Sequence, residues 1–178
     1  MDTVTRDLQV LGSRVRYWEY GTRGDGPTIV VVHGYRGDHH GLEPVVKLLP
    51  DFHIISPDLP GFGDSTPMTD APHSIAGYGA WLRAFLDELG FGAGSTAGAI
   101  LLGHSFGSIV VSHAVADGLL ARAVILINPI ADDPAKVAGI GATRFYYAVA
   151  RRIPERAARA WLANPLVVQG MSVKLAKT

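Results

Sequence analysis

An α/β architecture, a mostly parallel sheet flanked by helices, is what this sequence predicts, and three observations carry the prediction. Four short apolar runs, 28–32 (TIVVV), 53–56 (HIIS), 99–102 (AILL) and 123–127 (AVILI), are continuous and β-rich, as strands buried on both faces are. Segments with helical spacing lie between them, and strands alternating with helices imply right-handed crossovers. The 178 residues are 48 % hydrophobic and 18 % charged, the profile of a chain that buries a core rather than one that stays disordered or forms a rod.

Taken in order, the chain opens with a hairpin. Residues 13–20 (SRVRYWEY) alternate, Val15 and Tyr17 opposing Arg14 and Arg16, which is the period of a half-buried strand. Gly12-Ser13 is a turn signal, so 4–10 is expected to pair with 13–20 in antiparallel fashion. A short helix is expected over 43–49. Over 74–89 the residues Ile75, Tyr78, Leu82, Phe85, Leu86 and Leu89 recur at helical spacing, with Ser74 placed to cap the start and Gly90 to end it. A mostly apolar helix over 105–116 ends at Asp117-Gly118.

After Asn128-Pro129 the rhythm stops. Residues 134–178 show only helical patterns, with Pro154 as a first-turn residue. The charge divides at the same place: residues 1–133 hold eight Lys/Arg against fifteen Asp/Glu, net −7, and residues 134–178 hold eight Lys/Arg against Glu155 alone, net +7. The expected organisation is a core domain over 1–133, with its sheet incomplete on the C-terminal side, followed by a basic helical segment over 134–178.

Several function classes are set aside. No apolar stretch approaches the roughly 18 residues of a spanning helix, so no membrane span is expected. Met1-Asp2-Thr3 is acidic and no apolar run follows, unlike a secretory signal. The absence of cysteine excludes a disulfide framework and a thiolate nucleophile, and a cytoplasmic location is expected. The acidic body gives no support for nucleic-acid binding. Oligomeric state is not legible.

The residues that carry chemistry are Gly103-His104-Ser105-Phe106-Gly107, a GxSxG pattern set between the strand AILL and an apolar helix. A serine in such a tight strand-to-helix turn is lifted out at the carboxyl end of the sheet, where the first helix amides face whatever it attacks. The flanking glycines supply clearance. The bland alternative is a capping serine between two turn glycines. Directly after TIVVV comes His33-Gly34-Tyr35-Arg36-Gly37-Asp38, a Gly-bearing loop able to bring a second amide to an oxyanion; the Tyr35 amide, paired with that of Phe106, is the candidate. Asp58-Leu59-Pro60-Gly61-Phe62-Gly63-Asp64-Ser65 is a third loop, following HIIS.

HGYRGD, DLPGFGDS and GHSFG, in this order and spacing, resemble the α/β-hydrolase fold family over roughly residues 4–130. The resemblance implies Ser105 as nucleophile, an oxyanion hole from the Tyr35 and Phe106 amides, a helical cap over 134–178, a small-molecule substrate, and no cofactor or metal. It also implies that relatives with an Asp nucleophile are poor guides, since Ser stands at the elbow here. Gly34 and His104, beside the elbow, and Phe145 and Tyr146, in the cap, are the candidate substrate contacts. Arg144, Arg151 and Arg152 with those aromatics would suit a substrate with an apolar body and an acid group, although a solvated helical face explains the arginines as well. Esterases, C–C bond hydrolases and non-metal haloperoxidases share the pattern.

The sequence departs from the family at the base and the acid, which should follow the nucleophile. Histidines stand at 33, 39, 40, 53, 73, 104 and 113, and none follows 113. Eight helical positions, about 12 Å of rise, separate His113 from Ser105, so it is read as a packing residue. His33 and His104 are read as structural, and Asp132 and Asp133 as solvated or capping carboxylates. The favoured explanation is the amino-terminal part of a longer hydrolase; the other is a degenerate descendant acting as a binding or interaction module. Either way a poor enzyme and a marginal fold are expected. Two rivals are weaker. Asp38-His39-His40 with His33 offers metal donors but finds no second cluster to close a site, and 92–97 (GAGSTA) resembles a dinucleotide loop but lies in the reverse strand–helix order.

Overall fold

A computed structural model describes residues 2–92 and 98–130, together with 152 and 157. The chain divides after Ile130 into two units, Met1–Ile130 and Ala131–Thr178. Apart from those two positions, the expected helical cap over 134–178 lies outside the described residues, as do Asp132, Asp133 and most of the GAGSTA loop.

The first unit is a six-stranded sheet with the order β1-β2-β4-β3-β5-β6. Strands β1 (Thr3–Val10) and β2 (Ser13–Tyr20) form the expected hairpin, in a register that pairs Val10 with Ser13. The two loop residues are Leu11 and Gly12, both at positive φ (48° and 76°), as a tight hairpin turn with the twist of its strands demands. Strand β2 also pairs antiparallel with β4 (His53–Pro57). From β4 onward the sheet is parallel, through β3 (Thr28–Val32), β5 (Ile100–His104) and β6 (Ala123–Ile127).

Alternation along the inner strands divides their side chains between two cores. Val30, Val32, Ile55 and Leu101 meet Trp81, Phe85 and Val110 from helices α2 (Ile75–Glu88) and α3 (Phe106–Ala116) on one face. Ile29, Val31, Ile54 and Leu102 meet Leu42 and Val46 on the other, Val46 belonging to α1 (Glu43–Lys47). Ser74 caps α2 through its Oγ, which accepts the Gly77 N–H. A 3-10 turn over His39–Leu42, not separated in the sequence reading, precedes α1, and the Asp38 side chain accepts the His40 N–H at its start.

One expectation is corrected. AVILI reads as a strand buried on both faces, yet Val124, Ile125 and Leu126 of β6 remain 41 %, 42 % and 40 % exposed. Among the described residues β6 is the edge strand of the sheet and pairs only with β5, while α3 lies chiefly over β5. Among the described residues no helix is long and apolar enough to cross a membrane.

Candidate active site

The corner between β5 and α3 is built by what its glycines permit. A β-carbon on Gly107 would lie 2.1 Å from the Val32 carbonyl oxygen, and one on Gly103 would lie 2.6 Å from the Gly107 oxygen. Only hydrogen at these two positions lets the start of α3 pass between β5 and the end of β3. Ser105, between them, is forced to φ 51° and ψ −113°, a backbone state that side chains other than glycine rarely adopt. Its N–H donates to the Ile127 carbonyl at 3.0 Å, and its own carbonyl accepts from the Ser108 hydroxyl at 2.5 Å and the Ser108 N–H at 3.0 Å. The residue is held from both sides in a conformation it would not choose.

The loop after β3 runs directly beside it. A β-carbon on Gly34 would stand 3.2 Å from both the Ser105 Cβ and the His104 Nδ1, so the structure brings Gly34, His104 and Ser105 together. The rings of Tyr35 and Phe106 meet edge to face with centroids 6.1 Å apart. Phe106 opens α3, where helix amides have no partner within the helix. Both residues proposed from sequence as amide donors therefore flank the Ser105 corner.

Two buried side chains hold this loop: His33, read from sequence as structural though without its partners, and Asp58, to which the sequence assigned no role. His33, 1 % exposed, accepts the Leu59 N–H at Nε2 (2.9 Å), which places its proton on Nδ1, 2.8 Å from the Gly34 carbonyl. Burial pushes the His33 pKa below the ordinary imidazole value, so the ring is neutral. Asp58, fully buried, accepts from the His39 N–H (2.8 Å) and the Asp64 N–H (2.8 Å), and its Oδ1 lies 3.1 Å from His39 Nδ1. Its loop and the HGYRGD loop are thus tied to each other. The only available signal was the recurrence of short polar residues after each inner strand.

Beside the corner lies a cleft of about 390 Å³ lined by Tyr35, Phe62, His73, Tyr78, Phe106 and Ile75, with Ser74 at its margin. Tyr78 stands edge-on to Phe106 with centroids 5.5 Å apart, donates its hydroxyl to the Pro60 carbonyl (2.9 Å) and is approached by His73 Nδ1 (2.9 Å). Burial pushes the Tyr78 pKa up to about 12. The sequence places Phe62 in a loop and Tyr78 on the core face of a helix, without marking either as a site residue. His113 packs in α3 against Gly79 of α2, in keeping with a structural role. Phe145, Tyr146, Arg144 and Arg151 lie outside the described residues, and Arg152 is exposed.

Comparison with known proteins agrees with this fold. The model of the "Alpha/beta hydrolase family" matches residues 29–176. A pimeloyl-[acyl-carrier protein] methyl ester esterase of Shewanella oneidensis is 33 % identical over 54 % of this chain and 32 % of its own length. A haloalkane dehalogenase of Bradyrhizobium diazoefficiens is 30 % identical over 62 % of this chain and 34 % of its own. An alpha/beta hydrolase of Sphaerobacter thermophilus superposes with a TM-score of 0.66 at 24 % identity, over 93 % of this chain and 64 % of that one. The chain spans about a third of the length of these curated relatives. With its family model matched across most of its length and its fold shared with solved members, the chain belongs to the alpha/beta hydrolase family.

Proposed function

We propose that this chain carries the nucleophile and oxyanion donors of a serine hydrolase acting on a small ester or related acyl compound. The observation that carries the reading is Ser105 itself, held at positive φ between two glycines that cannot bear a side chain, with the Gly34 loop alongside. Its Oγ adds to an acyl carbon, and the amides of Tyr35 and Phe106 receive the negative charge that develops on the carbonyl oxygen. Collapse expels the alcohol with a proton and leaves an acyl-serine, which water hydrolyses to the acid. The aromatic cleft of Tyr35, Phe62, Tyr78 and Phe106 would take the apolar part of the substrate. The ester named for the Shewanella relative supports an ester over a carbon–halogen bond.

Among the described residues no hydrogen bond joins Ser105 Oγ to an imidazole or a carboxylate that could take its proton. Ser105 is accordingly expected to react with activated reagents and to turn over unactivated esters poorly. That mismatch favours one alternative, a non-catalytic binding module on the same fold. A fluorophosphonate separates the two: mass spectrometry should find a single adduct on the peptide containing Ser105, absent from Ser105→Ala. Equal labelling of both proteins, or none in either, would contradict the hydrolase reading.

A further inference from the structure

We propose that His39, His40 and Glu43 form a binding site for a divalent transition-metal ion, Zn²⁺ foremost. One ligand atom from each, two imidazole nitrogens and a carboxylate oxygen, lie within 4.8 Å of one another. Two imidazoles and a carboxylate, with water completing the set, are a donor combination that Zn²⁺ accepts at ligand distances near 2 Å. The sequence groups His39 and His40 with Asp38 and His33, and the structure breaks that grouping. Both ring nitrogens of His33 face the Gly34 and Leu59 backbone, and Asp38 caps the His40 N–H. The 3-10 turn instead delivers Glu43, three residues on from His40, with Oε1 3.0 Å from His40 Nδ1.

Two further observations point the same way. His39 is a prepared ligand: its Nδ1 faces the buried Asp58 carboxylate at 3.1 Å, and its ring is stacked on Trp18 with centroids 3.2 Å apart. A carboxylate on one imidazole nitrogen fixes the ring and makes the other nitrogen the better donor, as metal-ligating histidines commonly require. The three residues also line a cleft of about 470 Å³ between the 3-10 turn and β2, open enough to admit a hydrated ion. One cation already stands there, Lys47, whose Nζ lies 3.3 Å from Glu43 Oε2 and would have to yield. An ion bound at this place would pin the same segment, 33–43, that carries Gly34 and Tyr35 past Ser105.

The test is equilibrium dialysis of the untagged full chain against Zn²⁺, with Co²⁺ absorption as a second readout of ligand geometry. One ion per chain is expected, with a four-coordinate Co²⁺ spectrum. His40→Ala and Glu43→Gln, both at partly or fully solvated positions that leave the Trp18 stack intact, should each weaken binding by about tenfold or more. Lys47→Ala should tighten it. Absence of bound Zn²⁺ in the parent, or affinity unchanged in both His40→Ala and Glu43→Gln, overturns the site.

Discussion

Strands β3 and β6 are written in the same alphabet, TIVVV and AVILI, and meet opposite fates. Every residue of β3 is buried, whereas Val124, Ile125 and Leu126 of β6 stay two-fifths exposed. β3 lies between β4 and β5 with a core on each face; among the described residues β6 is the edge strand. Composition identifies the strand, and its neighbours decide what the strand contributes. The contrast extends to the site, because the end of β3 leads into the loop beside Ser105, whereas β6 meets the corner edge-on, pairing with Gly103 and His104 and accepting the Ser105 N–H at the Ile127 carbonyl.

Substitutions that deepen or erase this contrast should scale accordingly. The largest effect is expected from Gly107→Ala, whose new methyl would lie 2.1 Å from the Val32 carbonyl oxygen, a backbone atom that cannot swing away. A loss of more than about 3 kcal/mol in urea denaturation is expected, whereas Gly41→Ala, with nothing within 4 Å, should be nearly neutral. Next comes the strand comparison. Leu101→Ala, at 0 % exposure in β5, should cost about 3 kcal/mol, and Leu126→Ala, at 40 % exposure in β6, about 1 kcal/mol or less. Equal costs would show that β6 is as well covered as the inner strands.

Smaller effects probe the corner and its supporting loop. Ser105→Gly removes the side chain that objects to φ 51° and should be more stable than Ser105→Ala by about 1 kcal/mol. The smallest effect is pH-dependent. Burial holds the His33 pKa below its unfolded value of about 6.5, so the unfolded chain binds more protons in that range. The stability that this neutral ring confers is complete above pH 6.5 and is lost as pH falls toward the folded pKa. His53, also lowered by burial, acts in the same direction. Unfolding midpoints followed from pH 7 downward should therefore decline, and less steeply in His33→Gln.

What was legible in the sequence was local. GHSFG announced its corner because a strand, two glycines and a helix start sit within a few residues of the serine, and Ser74 announced the start of α2 in the same way. The partners of the HGYRGD loop were not legible, because His33 meets Leu59 and His39 meets Asp58 across 26 and 19 residues of chain. Phe62 and Tyr78 carried apolar signals indistinguishable from those of core residues, and only the packing turns them toward one cleft with Phe106. Glu43 stood out only as the start of the short helix expected over 43–49. The exposure of β6 depends on what lies beside it, which no property of AVILI encodes.

The central claim, that the Ser105 oxygen is presented to a hollow lined by backbone amides, is tested most directly by boron NMR of the chain with an aryl boronic acid. A serine oxygen added to boron converts it from trigonal to tetrahedral, and the amides of Tyr35 and Phe106 would steady the charge so formed. The account predicts a tetrahedral signal in the parent that vanishes in Ser105→Ala. A boron that stays trigonal with the parent, or turns tetrahedral equally with both, would contradict it.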